Sequence, residues 1–173
     1  MSIPKISRAT LSDAEVLHGL VNTAYRGEDS QQGWASEAHL FEGSRISLAG
    51  MKALLSDSAV VVLKYTEDDQ VLGCVELRNI GNKLYLGMLS VRPHLQGRGI
   101  GKKLMQAAEE EARRQLCIAV FMTVITQREE LMQWYVRHGY LDTGIRKPFG
   151  KRDPSHGTPK TDIELATLEK QLL

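Results

Sequence analysis

The spacing of hydrophobic and polar residues changes along the first half of the chain, and each spacing predicts a helix or a strand. Residues 3–9 are typical of a short strand, and a helix follows, with a capping box between Ser12 and Glu15 and an end near residues 25–27. A second helical region is expected over 36–55, with a break near Gly43. Apolar runs at 59–65, 71–80 and 83–91, joined by short polar turns, predict an antiparallel meander of three strands.

The second half of the chain has a different pattern of hydrophobic residues. Helical periodicity covers 101–116, a wholly apolar run at 118–125 is typical of a strand covered on both faces, and a helix at 129–138 ends before Gly139. Runs at 140–146 and 161–168 predict a closing strand pair. The order strand, helix, buried strand indicates one parallel crossover. We therefore expect an α/β (α+β) fold with a mixed, mostly antiparallel sheet, and the length of 173 residues favours a single domain over 1–173.

Composition excludes several classes of protein. Lys and Arg number 22 against 21 Asp and Glu, so a net charge of +1 gives no support to a nucleic-acid partner. No apolar run approaches the ~20 residues of a membrane span, and the start lacks the apolar core of a signal peptide. Two cysteines and five histidines show no metal-ligand spacing. The expectation is a cytoplasmic protein with no metal site and no membrane or nucleic-acid partner.

A glycine-rich turn between a strand and a helix, QGRGIGK at 96–102, carries the chemical information. Alternating glycines let successive backbone N–H groups converge on an anion, and the following helix adds unpaired N–H groups at its positive end. The segment lacks the Ser or Thr after GK that a Walker loop needs, and it lacks the third glycine of the dinucleotide fingerprint. A glycine-rich turn without a ligand remains the alternative.

The residues around this turn resemble a known family. Val91 and Pro93 followed by QGRGIG at 96–101 match motif A of the GNAT superfamily of acyl-CoA-dependent N-acetyltransferases. The run LMQWYVRHGY at 131–140 is similar to the second signature of that family, a helix that carries Tyr and ends in Gly plus an aromatic residue. The resemblance covers roughly residues 3–170 and implies a sheet flanked by helices, in which the parallel strand pair splays apart.

The same resemblance implies transfer of an acetyl group from acetyl-CoA to a primary amine, by direct attack in a ternary complex. A bulge permitted by Gly87 would open the wedge that takes the pantetheine arm. The residues that the resemblance places against acetyl-CoA are Leu89, Ser90, Val91, Gln96, Gly97, Arg98, Gly99, Ile100, Gly101 and Lys102.

Two residues are candidates for proton transfer. Tyr135 matches the tyrosine that faces the CoA sulfur in the family and is assigned as the general acid; the alternative is a core tyrosine on an apolar stripe. Many relatives carry Glu at the position of Tyr85, so this departure argues against direct carboxylate catalysis from that position. Glu76, acting through water, is a candidate base, with an ion pair to Arg78 as the competing interpretation.

The loop after the first helix would build the acceptor site, with Tyr25, Arg26 and Trp34 as candidate contacts. Residues 1–42 carry six acids against three Lys or Arg, which would attract a cationic amine. The acceptor itself stays open between small-molecule and peptide amines, and a homodimer is compatible with the family. The competing functions are a catalytically silent acyl-CoA-binding module and an unrelated nucleotide-binding protein.

Overall fold

Strands cover more residues than helices do in the part of the chain that the computed structural model describes, residues 3–25, 40–42, 44–149 and 158–172. The strands are β1 (Lys5–Arg8), β2 (Phe41–Glu42), β3 (Val60–Glu67), β4 (Gln70–Ile80), β5 (Lys83–Val91), β6 (Ala119–Ile125), β7 (Leu141–Pro148), β8 (Thr158–Pro159) and β9 (Glu164–Gln171). The helices are α1 (Ala14–Tyr25), α2 (Leu48–Ser56), α3 (Ile100–Arg114) and α4 (Glu129–Arg137).

Seven strands make one mixed sheet in the order β1-β3-β4-β5-β6-β9-β7, and β2 pairs with β8 in a separate ladder. The meander of β3, β4 and β5 is antiparallel, as the short turns predict. The pair β5–β6, which α3 connects, is parallel, and β6–β9 and β9–β7 are antiparallel. The predicted mixed, mostly antiparallel sheet is thus confirmed.

Helices cover both faces of this sheet. On one face, Leu104, Ala108 and Ala112 of α3 pack in a buried cluster with β3–β6 and with Leu131 and Tyr135 of α4. On the other face, α1 and α2 pack against β3 and β4 in a second buried cluster. Burial of these apolar stripes is the main source of stability, and it holds α3 and α4 at the edge of the cleft described below. No helix in the described ranges is long and apolar enough to span a membrane.

The helix predicted over 36–55 is wrong in its first part. Phe41 and Glu42 pair as a strand with β8, and α2 begins only at Leu48, where the Ser47 hydroxyl accepts a hydrogen bond from the Gly50 N–H at 3.0 Å. Phe41 is buried and meets the Phe149 ring edge-on, with ring centroids 5.2 Å apart. This long-range packing overrides the local helical pattern. Residues 26–39 and Gly43 lie outside the described residues.

The start of α1 also differs from the expected capping box. The Thr10 backbone N–H donates to the Asp13 carboxylate at 2.8 Å, two residues earlier than the predicted pair of Ser12 and Glu15. A short 3₁₀ turn at Leu11–Asp13 precedes the helix, and the capping interaction is at this turn. Asp13 gains a second partner in Lys64 of β3 at 3.0 Å, which fastens the turn to the sheet.

Candidate active site

The parallel strands β5 and β6 separate in the middle of the sheet. Their register runs only from Lys83 opposite Ala119 to Tyr85 opposite Phe121. Beyond Tyr85, residues 86–91 of β5 have no partner on the β6 side in this register. A parallel pair that parts in this way leaves a wedge with an open backbone edge, as the family resemblance predicts.

A bulge in β5 helps to open this wedge, but it is not centred where the sequence predicts. The register between β4 and β5 shifts between Cys74 and Glu76, and the residue with left-handed backbone is Met88, with φ +55°, rather than Gly87. The Ser90 hydroxyl donates to the Met88 carbonyl at 2.9 Å. This local bond offsets part of the strain at Met88, so Ser90 acts on the bulge through a buried side chain.

Gly87 is required for a different reason: the Tyr85 ring occupies the space that a side chain at position 87 would need. A Cβ added at Gly87 would lie 2.6 Å from the Tyr85 ring. That ring lies next to Phe121 of β6, with centroids 5.6 Å apart, where the two strands begin to part. Glycine therefore lets Tyr85 fold back over its own strand at the bottom of the wedge.

The turn from β5 to α3 has the form of an anion cradle. Gly97 and Gly99 are exposed and have φ +91° and +84°, and a Cβ at either would meet nothing within 4 Å. No hydrogen bond inside the described ranges engages the backbone N–H groups of residues 97–102. Six N–H groups at the N-terminus of a 15-residue helix therefore remain available for a negatively charged group.

The side chains of this turn have separate roles. The Gln96 amide donates to the Val91 carbonyl at 3.1 Å, which ties the start of the turn to the end of β5. Ile100 and Gly101 are buried against the sheet, whereas Arg98 and Lys102 are exposed and carry positive charge beside the cradle. The cradle residues predicted from the sequence are therefore brought together, with Gln96 shaping the turn.

A cleft of about 730 Å³, including its part open to solvent, occupies the wedge. Its lining comes from β2, β5, β6, β9, α1 and α4, and from residues just before α2 and α4 and just after β7. It consists of Tyr25, Phe41, Arg45, Tyr85, Leu86, Gly87, Met88, Leu89, Met122, Thr123, Val124, Ile125, Arg128, Leu131, Tyr135, Phe149 and Leu165. Most of these side chains are apolar, and the polar groups among them are tyrosines, arginines and one threonine.

Tyr135 presents its hydroxyl to this cleft. The residue is buried, yet its hydroxyl has no hydrogen-bond partner among the described residues, and no fully buried side-chain oxygen or nitrogen in these ranges lacks one. The hydroxyl must therefore open onto the cleft. Burial raises the pKa of Tyr135 above its ordinary value, so the group stays protonated near neutral pH.

Glu76 lies beside the cleft rather than in its lining. The carboxylate is 3.7 Å from the Arg78 guanidinium, so the ion pair considered from the sequence is present. Burial raises the pKa of Glu76, and the positive charges of Arg45 and Arg78 act against this rise. Contact with the reacting amine would need a bridging water.

Tyr25 is the one predicted acceptor-side residue that the structure describes. It is buried at the end of α1, and its hydroxyl donates to the Leu89 carbonyl at 2.7 Å. This bond joins α1 to the bulged part of β5. Arg26 and Trp34 lie outside the described residues.

Two arginines of the lining were not assigned to the site from the sequence. Arg45 lies just before α2, and Arg128 is the residue before α4. Asn22 of α1 holds the Arg45 segment, because its Oδ1 accepts from the Arg45 N–H at 2.6 Å and its Nδ2 donates to the Ile46 carbonyl at 2.9 Å. The sequence feature that could have indicated this contact was Asn22, a polar residue on the inward face of α1.

Comparison with known proteins agrees with this geometry. Residues 21–140 match the model of the acetyltransferase (GNAT) family. Acetyltransferase Atu2258 of Agrobacterium fabrum is 30% identical over 82 residues, which span 47% of this chain and 58% of that protein. The match therefore covers little more than half of the length of this relative.

Solved structures share the fold over nearly the whole chain. The PaiA N-acetyltransferase of Thermoplasma acidophilum in complex with coenzyme A is 19% identical, with a TM-score of 0.69 over 99% of this chain and 100% of that one. YncA of Salmonella typhimurium, a putative acetyltransferase solved with acetyl-CoA, is 19% identical, with a TM-score of 0.72 over 99% and 95%. With the matched family model, the splayed strands and the cradle, these likenesses lead to one assignment: the chain belongs to the GNAT family of acetyltransferases.

Proposed function

We propose that the protein transfers an acetyl group from acetyl-CoA to a primary amine of a small-molecule or peptide acceptor, by direct attack in a ternary complex. The observation that carries this proposal is one arrangement of three features. They are the edge of β5 at 86–91 that β6 does not pair, the free N–H groups at 97–102 in the turn after β5, and the Tyr135 hydroxyl of α4 facing the cleft. Family membership, and neighbours solved with CoA or acetyl-CoA, support it.

Different residues fit different parts of acetyl-CoA. N–H groups from Gly97 to Lys102 would hold the pyrophosphate, with the exposed charges of Arg98 and Lys102 beside it. The pantetheine arm would lie along Leu89 and Val91 in the manner of an added strand. Acetyl-CoA is made and used inside cells, which together with two unpaired cysteines supports a cytoplasmic location.

The reaction needs a proton acceptor and a proton donor. As the amine nitrogen forms its bond to the thioester carbonyl carbon, the C–S bond breaks, the amine loses a proton, and the CoA sulfur takes one. We assign Tyr135 as the donor to sulfur, because its hydroxyl is protonated and open to the cleft. We assign Glu76 as the acceptor through water, since its carboxylate is near Arg45, a residue of the cleft lining.

Binding of acetyl-CoA is the first test of this function. At a concentration about 100 times Kd, acetyl-CoA should stabilise the protein by about 2.7 kcal/mol, which corresponds to a rise in Tm of about 5–10 °C. NAD and ATP at the same concentration should leave Tm unchanged. Free-thiol release in the presence of an amine panel then separates an enzyme from a silent acyl-CoA-binding module, which would show the thermal shift and no release.

Glu76→Gln tests the proposed base. A carboxylate accepts a proton only when ionised, and burial raises the pKa of Glu76, so kcat/KM of the wild type should fall as pH drops through a value above 4.5. The variant should lose about 100-fold in kcat/KM at neutral pH and no longer show this acid limb. Acetyl-CoA affinity serves as the control and should not change. An unaltered pH profile in the variant would exclude Glu76 as the base.

A further inference from the structure

The charge of the cleft is opposite to what a cationic acceptor would require. The described lining contains two arginines, Arg45 and Arg128, and no Asp or Glu. The acids of residues 26–39, which the sequence suggested as an attractive surface for amines, lie outside the described residues. The formal charges on the described lining are therefore positive and favour an anionic group, with the Glu76 carboxylate lying beside that lining.

Arg45 is held in place from its backbone. Asn22 of α1 accepts hydrogen bonds from the N–H groups of Arg45 and Ile46, at 2.6 and 3.2 Å, and its amide group donates to the carbonyls of Ile46 and His18, at 2.9 and 3.0 Å. The Arg45 guanidinium lies over the Tyr25 ring, 5.5 Å from its centroid. Three hydrogen bonds to the backbone of residues 45–46 and an aromatic ring beneath the guanidinium pre-organise Arg45 for recognition.

The guanidinium of Arg45 forms no salt bridge or side-chain hydrogen bond with any described residue. Its charge acts on the nearby Glu76 carboxylate, but the ion pair of Glu76, at 3.7 Å, is with Arg78. Arg45 is nevertheless half-buried in the cleft wall. A partly buried guanidinium offers five N–H donors, and a carboxylate is the group that fits two of them at once.

The same charge affects the amine that reacts. A cation near the site disfavours the ammonium form and so helps to supply the neutral amine that attacks the thioester. It also disfavours polyamines, which would carry further positive charges into the cleft. The remaining walls, among them Phe41, Phe149 and Leu165, offer an apolar surface for the body of an acceptor.

We propose that the acceptor is an amine that also carries a carboxylate, such as an apolar amino acid, and that Arg45 binds this carboxylate in the cleft. This inference rests on the proposed acetyltransferase function and adds the substrate class to it. Asn22 is then a positioning residue, because it fixes the backbone from which Arg45 reaches the cleft.

Matched pairs of acceptors test the proposal. L-phenylalanine is compared with 2-phenylethylamine, and L-leucine with 3-methylbutylamine, in a free-thiol release assay with acetyl-CoA; β-alanine and γ-aminobutyrate extend the spacing between the two groups. We expect kcat/KM to be about 10- to 100-fold higher for the carboxylate member of the preferred pair. L-phenylalaninamide controls for amine basicity, because it has no carboxylate but loses its ammonium proton more readily than the amino acid.

Arg45→Met should abolish this preference. KM for the carboxylate-bearing acceptor should rise about 10- to 100-fold, whereas kcat/KM for its decarboxylated partner should change much less and the Kd for acetyl-CoA should stay unchanged. Arg45→Lys should retain part of the preference, since a point charge replaces the planar fork. Lys52→Met is the matched control, because it removes one positive charge from an exposed position on α2 and should leave every parameter unchanged.

The outcomes separate this inference from the proposed function. Acetylation of the carboxylate-free amines with equal or better efficiency would overturn the inference and leave the acetyltransferase function standing. Acetyl-CoA binding with no turnover, and no additional thermal shift from the amino acids, would overturn the inference and indicate a silent binding module. Failure to bind acetyl-CoA would overturn both.

Discussion

Tyr135→Phe is expected to lower kcat by about 100-fold while leaving the Kd for acetyl-CoA unchanged. The hydroxyl faces the cleft and remains protonated, so its removal takes away the donor to the departing sulfur without opening a cavity. The loss should lie at the lower end of general-acid effects, because a thiolate of pKa ~8.5 is already a tolerable leaving group. Steady-state kinetics and calorimetry measure the two quantities separately.

Tyr140→Phe is the matched control for this variant. Tyr140 packs against Tyr135, with ring centroids 5.8 Å apart, but its hydroxyl donates to Glu109 of α3 at 3.2 Å and does not line the cleft. The control should lower the free energy of unfolding by about 1 kcal/mol and leave kcat unchanged. Equal kcat for Tyr135→Phe and the wild type would show that water, not Tyr135, protonates the sulfur.

Gly99→Val should weaken acetyl-CoA binding at least tenfold. Gly99 has φ +84° immediately before α3, a conformation that costs an L-residue about 1–2 kcal/mol and a β-branched residue more. Relief of this strain would turn the N–H groups of residues 97–102 away from one another. The unfolding free energy should fall by about the same 1–2 kcal/mol, and calorimetry with acetyl-CoA should show the weaker Kd.

Gly144→Val separates the loss of stability from the loss of binding. Gly144 of β7 has φ +83°, and a Cβ there also meets nothing within 4 Å, so the backbone penalty is the same at a site remote from the cradle. We expect a similar decrease in unfolding free energy and no change in Kd. If both variants bind acetyl-CoA as the wild type does, the N–H groups of the turn do not form the pyrophosphate site.

Much of the fold could be predicted because its determinants are local. The turns at 68–69 and 81–82 join strands that pair with their neighbours, so short connections were enough to predict the β3–β4–β5 meander. The two motifs predicted the cradle at 96–102 and the helix of Tyr135, since each is a continuous segment whose spacing sets its own geometry.

The errors occur where distant residues compete with local pattern. Phe41 was assigned to a helix, but it pairs with Pro159 and packs on Phe149, over 100 residues away. The bulge was assigned to Gly87 because glycine tolerates unusual backbone, whereas the observed strain falls on Met88, which Ser90 supports. Gly87 is needed for the space that the Tyr85 ring occupies, a fact that depends on a side-chain rotamer.

The amino-acid sequence alone was thus sufficient to predict the family, the glycine-rich turn and the Tyr135 helix, because glycine conformation and helix periodicity act over a few neighbouring positions. The cleft and its charge required the folded chain. Tyr25 reaches Leu89 across 64 residues, and Asn22 holds Ile46 across 24, and no local pattern encodes such contacts. They arise only when helices pack on the sheet and their buried polar groups must find partners there.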